Sequence, residues 1–119
     1  VMLVLDPYIG KIMAAESVAR FERAVSLAAC IAWHFNEINS VMQFRTGSYS
    51  TTMAPAGEII YPALRQLALV QPEMSEAGGF LDGHTGEREI FKIILTARAQ
   101  RSIPAALWSS SYFIFIDRL

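Results

Sequence analysis

The sequence predicts an α/β domain, with a mostly parallel sheet, helices on both faces and one antiparallel edge strand. Three observations carry that expectation. Short apolar runs of strand length recur at Val1–Leu5, Val41–Arg45, Phe91–Thr96 and Tyr112–Ile116. Segments with helical spacing alternate with them, the signature of a parallel sheet covered by helices. One pair of strands is joined by a tight turn alone, and so short a connection forces antiparallel pairing. The chain has 119 residues, 53% apolar and 18% charged, with a formal net charge of −1. That length fits a single domain over residues 1–119 and can bury a core without disulfides. The apolar fraction excludes disorder. The near-neutral balance argues against a nucleic-acid partner, which would need a basic excess.

Val1–Leu5 ends in Asp6-Pro7 and reads as a strand buried on both faces. Pro7 and Gly10 then break the chain. From about Glu16 to Asn36, Val18, Phe21, Val25, Ala28, Ala32 and Phe35 recur every three or four residues, the buried stripe of a helix. Cys30 lies in this segment, in Ala-Ala-Cys-Ile-Ala. As the single cysteine it excludes an internal disulfide and reads as a buried structural thiol. Asn39-Ser40 stops the helix, since both favour turns.

Val41–Arg45 is the second strand. Thr46-Gly47-Ser48 turns the chain into Tyr49–Met53, whose Tyr and Thr suit a half-exposed strand. After Pro55-Ala56-Gly57 a helix is expected to start between Glu58 and Pro62, because proline belongs in a helix's first turn. It runs to about Val70, with Leu64, Leu67 and Ala68 toward the sheet. Glu73–Glu87 holds Gly78, Gly79, Gly83 and Gly86 with little periodicity, and reads as a long surface loop and a candidate contact element. Phe91–Thr96 is a buried strand, Pro104–Trp108 a short helix, and Tyr112–Ile116 a last buried strand ending at Asp117.

The longest uncharged runs, Ala24–Asn36 and Ser102–Ile116, fall short of the roughly 20 residues a spanning helix needs. The chain opens inside a core strand with no basic flank, so we expect no signal peptide here and a portion of a longer protein. Right-handed crossovers favour the strand order 3-2-1-4-5, counted along the chain. The order reverses between the first and fourth strands, which places a site at their carboxyl ends. Asp6 stands at one of those ends and Thr96-Ala97-Arg98 at the other.

Phe21-Glu-Arg-Ala-Val-Ser-Leu-Ala-Ala29, Leu64-Arg-Gln-Leu-Ala-Leu-Val-Gln-Pro72, Ile94-Leu-Thr-Ala-Arg98 and Ile103-Pro-Ala-Ala-Leu-Trp108 follow one another over nearly the whole chain. In that order they resemble the bacterial family called domain of unknown function 58, a branch of the Rossmann-like von Willebrand factor A-type domains. The resemblance implies a noncatalytic interaction module acting with a MoxR-type AAA+ ATPase. It also implies a cytoplasmic location, with a parent protein that is membrane-anchored, and no cofactor. A-type domains often hold a divalent ion through Asp-x-Ser-x-Ser after the first strand and a second Asp after the fourth. The matching stretch here is Asp6-Pro7-Tyr8-Ile9-Gly10, which keeps the Asp alone, and the second place reads Thr96-Ala97-Arg98. A metal wants hard oxygen ligands, whereas a guanidinium repels a cation and pairs with a carboxylate. We therefore expect no working metal site, and an ion pair from Asp6 to Arg98 or Arg101. By the same resemblance, partners meet the carboxyl-end face carrying Asp6, Tyr8, Ser48, Arg98 and Arg101, together with the glycine-rich loop.

Other chemistries fare less well. His34 reads as a packed or helix-end histidine, and His84, beside Asp82 in the loop, as a solvated one. Ser109-Ser110-Ser111 has no local base and no Gly-x-Ser-x-Gly elbow. The loop glycines lack the Gly-Lys-Ser/Thr ending of a phosphate loop, and no Gly-x-Gly-x-x-Gly follows the first strand. Arg98 and Arg101, with Arg65 or Arg88, read as a solvated face with internal pairs more readily than as an anion patch. Trp108, Leu107 and Phe80 need apolar partners. If a longer parent supplies a further strand, Tyr112–Ile116 is an open edge here, and the chain is expected to form a homodimer or aggregate. Two alternatives remain: a metal-dependent adhesion domain with a degenerate site, and a Rossmann-like hydrolase.

Overall fold

Met2, Leu3, Val4 and Leu5 are all fully buried because β1 (Met2–Leu5) lies inside the sheet with a parallel neighbour on each side. Those neighbours are β2 (Val41–Thr46) and β5 (Lys92–Thr96). The computed structural model describes residues 1–74 and 90–119. Within them the remaining strands are β3 (Tyr49–Ser50), β4 (Ala54–Pro55) and β6 (Ser111–Phe115). The order is β3-β2-β1-β5-β6, with β4 pairing β2 off that path. β3 and β4 are antiparallel to β2, and the other pairs are parallel. The sheet is thus mixed and mostly parallel. The expected five-strand count becomes six because Ala54–Pro55 pairs with Val41 and Met42.

Side chains alternate across a strand, and the two faces are covered differently. Leu3, Leu5, Met42, Phe44 and Leu95 face α1 (Ala15–Glu37) and α2 (Ala56–Leu69). Met2, Val4 and Ile94 face the other way, against Ile103 and Leu107 of the short helix α3 (Ala105–Trp108) and its lead-in. α1 buries Phe21, Ala24, Ala28 and Ala32. The chain leaves it through Asn39, whose φ of +55° is a left-handed value that asparagine tolerates. Gly47, at +54°, does the same in the β2–β3 turn. Among the described residues no helix is long and apolar enough to cross a membrane.

Several expectations are corrected. Cys30 is exposed, not buried. It lies two residues from both Ala28 and Ala32, which are fully buried, so about 200° of helix rotation turns it to the far side. α2 starts at Ala56, whose N–H donates to the Ser40 carbonyl at 2.8 Å. Pro62 therefore lies inside the helix rather than in its first turn. The helix keeps it because Ala56, Ile59, Ile60, Ala63 and Leu67 bury one stripe while Pro62 stays on the exposed side. Ala68 is exposed, and Leu64 is half-buried. The third strand ends at Ser50 rather than Met53.

Among the described residues the last strand is an edge and not a buried element, with Tyr112 62% exposed. Leu107 is buried and needs no further partner. Trp108 remains partly exposed, with its ring centroid 4.7 Å from that of Phe113. Ser109 ends α3 and Ser111 opens β6. His34 is an exposed residue in the last turn of α1. Most of the glycine-rich loop, with Phe80, Asp82, His84 and Arg88, lies outside the described residues.

Candidate functional site

The parallel register pairs Leu5 with Leu95, so Asp6 and Thr96 are the next residues at the carboxyl ends of adjacent strands. The Asp6 N–H donates to the Leu95 carbonyl at 2.9 Å, and the residue is 1% exposed. A carboxylate so buried needs partners for its lone pairs. It has three. The Thr96 hydroxyl donates to Oδ2 at 2.9 Å, and Arg98 Nε donates to the same oxygen at 2.6 Å. The Tyr8 N–H donates to Oδ1 at 3.2 Å, closing the local turn that an Asp two residues upstream supports.

Arg98 is itself held in place. Its backbone N–H donates to Thr96 Oγ1 at 3.1 Å, and its guanidinium carbon stands 4.8 Å above the Tyr8 ring. Its side chain is 9% exposed. Charge-assisted bonds of this kind are short and strong. Their net stabilisation is reduced by the desolvation of both charges, but removing one partner leaves the other buried and uncompensated.

Backbone pairing fixes the loop below Tyr8. The Ile9 N–H donates to the Glu73 carbonyl at 2.9 Å, and the Glu73 N–H to the Pro7 carbonyl at 2.8 Å. The segment after β1 is thereby tied to the segment after α2. A Cβ built on Gly47 would lie 4.0 Å from Pro7 Cγ, so the turn bearing Ser48 sits beside the same loop. Ser48 is exposed there.

Of the five candidate residues, the structure brings Asp6, Tyr8 and Arg98 into one contact group and sets Ser48 alongside. Arg101 is exposed in the 3₁₀ turn Gln100–Ser102 and lines an open depression with Trp108. Arg98, not Arg101, is the partner of Asp6. Thr96 stands at this strand end in the sequence reading, but its role as a partner of Asp6 is what sequence reasoning missed. Its signal is a hydroxyl residue directly after Ile-Ile-Leu, where the strand meets the end of its neighbour.

This arrangement does not fit a divalent ion. Both Asp6 oxygens already accept hydrogen bonds, and a cation would have to displace a guanidinium from Oδ2. Among the described residues no group of three or more His, Cys, Asp or Glu is placed to hold a metal. Nucleophilic chemistry fits no better. The Thr96 hydroxyl is fully buried and donates to a carboxylate that Arg98 already neutralises. The cavity between Ile9, Arg20, Ala97 and Asp117 has about 30 Å³, room for a water molecule or two and not for a substrate.

No protein-family model matches the chain, and neither a curated protein nor a solved structure matches it.

Proposed function

We propose that this chain is a noncatalytic protein-interaction module of the von Willebrand factor A-like kind, whose sheet-end acid serves the fold instead of a metal. The observation that carries the reading is the Asp6 carboxylate, buried and held by Arg98, Thr96 and the Tyr8 N–H. Such a group orders the loops around it and offers no free ligand or base. What the surrounding face presents to a partner is Ser48, Arg101 and part of Tyr8, on loops anchored to the sheet. The partner we assign is a MoxR-type AAA+ ATPase, an assignment that rests on the resemblance of Phe21–Ala29, Leu64–Pro72, Ile94–Arg98 and Ile103–Trp108 to the domain of unknown function 58 family. The same resemblance places the module in the cytoplasm, on a parent that is membrane-anchored.

The test is capture of the MoxR-type ATPase encoded in the same genome by the immobilised chain. Arg101→Glu and Ser48→Arg change exposed residues only. Each is expected to weaken capture at least tenfold with an unchanged melting temperature. Equal capture by both variants would remove this face from the interaction. Turnover on an ester or nucleotide panel, lost in Asp6→Ala, would replace the reading with a hydrolase.

A further inference from the structure

The two ends of the sheet are protected unequally. At one end β3 and β4 are two residues long, and β4 contains Pro55, which has no N–H to offer. Short strands and proline are the usual protection against edge pairing. At the other end β6 reads Ser-Tyr-Phe-Ile-Phe over five residues, without charge, proline or glycine. Among the described residues its one neighbour is β5.

The register says which of its backbone groups turn toward β5 and which turn away. The Lys92 N–H donates to the Ser110 carbonyl at 3.0 Å, and Lys92 stands beside Ser111. In a parallel ladder Ser110, Tyr112 and Ile114 then turn their backbone groups toward β5. Ser111, Phe113 and Phe115 turn theirs outward.

We infer that β6 pairs antiparallel with β6 of a second copy of this chain, about a two-fold axis at Phe113. The outward residues are 111, 113 and 115, a set symmetric about its middle. Phe113 meets Phe113 of the second copy, and Ser111 meets its Phe115. In an antiparallel ladder each of these is a hydrogen-bonded pair that exchanges two bonds. An isologous interface requires this self-complementarity. The side chains agree with it. Tyr112, 62% exposed, comes opposite Ile114 of the second copy on one face. On the other, the aromatic row of Trp108, Phe113 and Phe115 continues across the axis. This surface is separate from the Asp6 face and stands whether or not that face binds a partner.

Five residues a side is small beside the roughly 20–30 a side of a standard interface, so the dimer is weak and reversible. Sedimentation equilibrium of the 119-residue chain should show the mean mass rising from monomer toward dimer between about 10 µM and 1 mM. Amide exchange by NMR should slow at Phe113 and Phe115 as concentration rises, while Tyr112 and Ile114, bonded to β5, do not change. Tyr112→Lys puts a charge on the exposed edge and should shift the midpoint at least tenfold. Ser111→Pro removes an outward N–H without touching the β5 ladder and should weaken the dimer likewise; both variants should melt with the parent. A monomer at every concentration, or a dimer in which the Phe113 and Phe115 amides exchange at an unchanged rate, overturns the inference.

Discussion

Arg98 Nε lies 2.6 Å from Asp6 Oδ2, although 92 residues separate the two in sequence. The pair joins the carboxyl ends of β1 and β5, the point where the strand order reverses and where open α/β sheets place their ligands. Here a side chain of the protein occupies that position on the acid. The loop carrying Tyr8 and the loop carrying Arg98 are locked together as a result, and the face they form is preorganised. That is a property a docking surface needs.

Removing the pair one member at a time should be costly and non-additive. Arg98→Ala leaves the Asp6 carboxylate buried without its countercharge and should lower unfolding free energy by about 3–5 kcal/mol. Asp6→Ala should also destabilise the fold. The double variant should lose less than the sum of the two by about 1–3 kcal/mol. Urea denaturation of the four proteins measures this cycle, and simple additivity would show that the contact does not couple the strands.

Arg98→Lys keeps the charge and loses the planar guanidinium. Nε can no longer donate to Oδ2 while the guanidinium covers the Tyr8 ring. The variant should be less stable than the parent by about 1–3 kcal/mol. A lysine variant of parental stability in urea would mean that charge alone, without the fork geometry, suffices.

Pro62 breaks the α2 ladder at its exposed side. An alanine there restores the N–H that bonds the Glu58 carbonyl. Pro62→Ala should raise stability by about 1–2 kcal/mol, the helix gain less the greater freedom of the unfolded chain. Thermal unfolding checks it, and a lower melting temperature would show that the proline fits a bend the helix requires.

Cys30 should react with an aromatic disulfide reagent in the native state. Its exposure on α1 predicts complete modification without denaturant, with the absorbance of the released thiolate as the readout. Modification that needs urea would place the thiol back in the core.

Asp6 and Arg98 are legible in the sequence because Asp6 directly follows one apolar strand and Arg98 stands two residues past another, and parallel strands bring such ends together. The choice of Arg98 over Arg101 is not legible. It depends on the 3₁₀ turn at Gln100–Ser102, which carries Arg101 outward. Cys30 misleads because its alanine and isoleucine neighbours suggest a core, whereas helix rotation alone decides its direction. Pro62 misleads because local propensity yields to burial of Ile59, Ile60 and Ala63. Lys92 shows the reverse case. It is fully buried at the start of β5, with Nζ donating to the Ile90 carbonyl at 3.0 Å, and a lysine opening a strand gives no sign of that.

The central claim is that Asp6 is committed to Arg98 and unavailable to a metal. The direct test is a thermal melt of the chain in EDTA, repeated with 10 mM magnesium and then manganese, about 100 times a dissociation constant of 0.1 mM. An ion bound at that affinity adds about 2.7 kcal/mol to the folded state and several degrees to a domain of this size. The account predicts that the ions leave the melt of each protein unchanged, the parent at its melting temperature and Asp6→Ala at its own lower one. A rise of several degrees in the parent that Asp6→Ala abolishes would contradict it, and would make Asp6 a metal ligand.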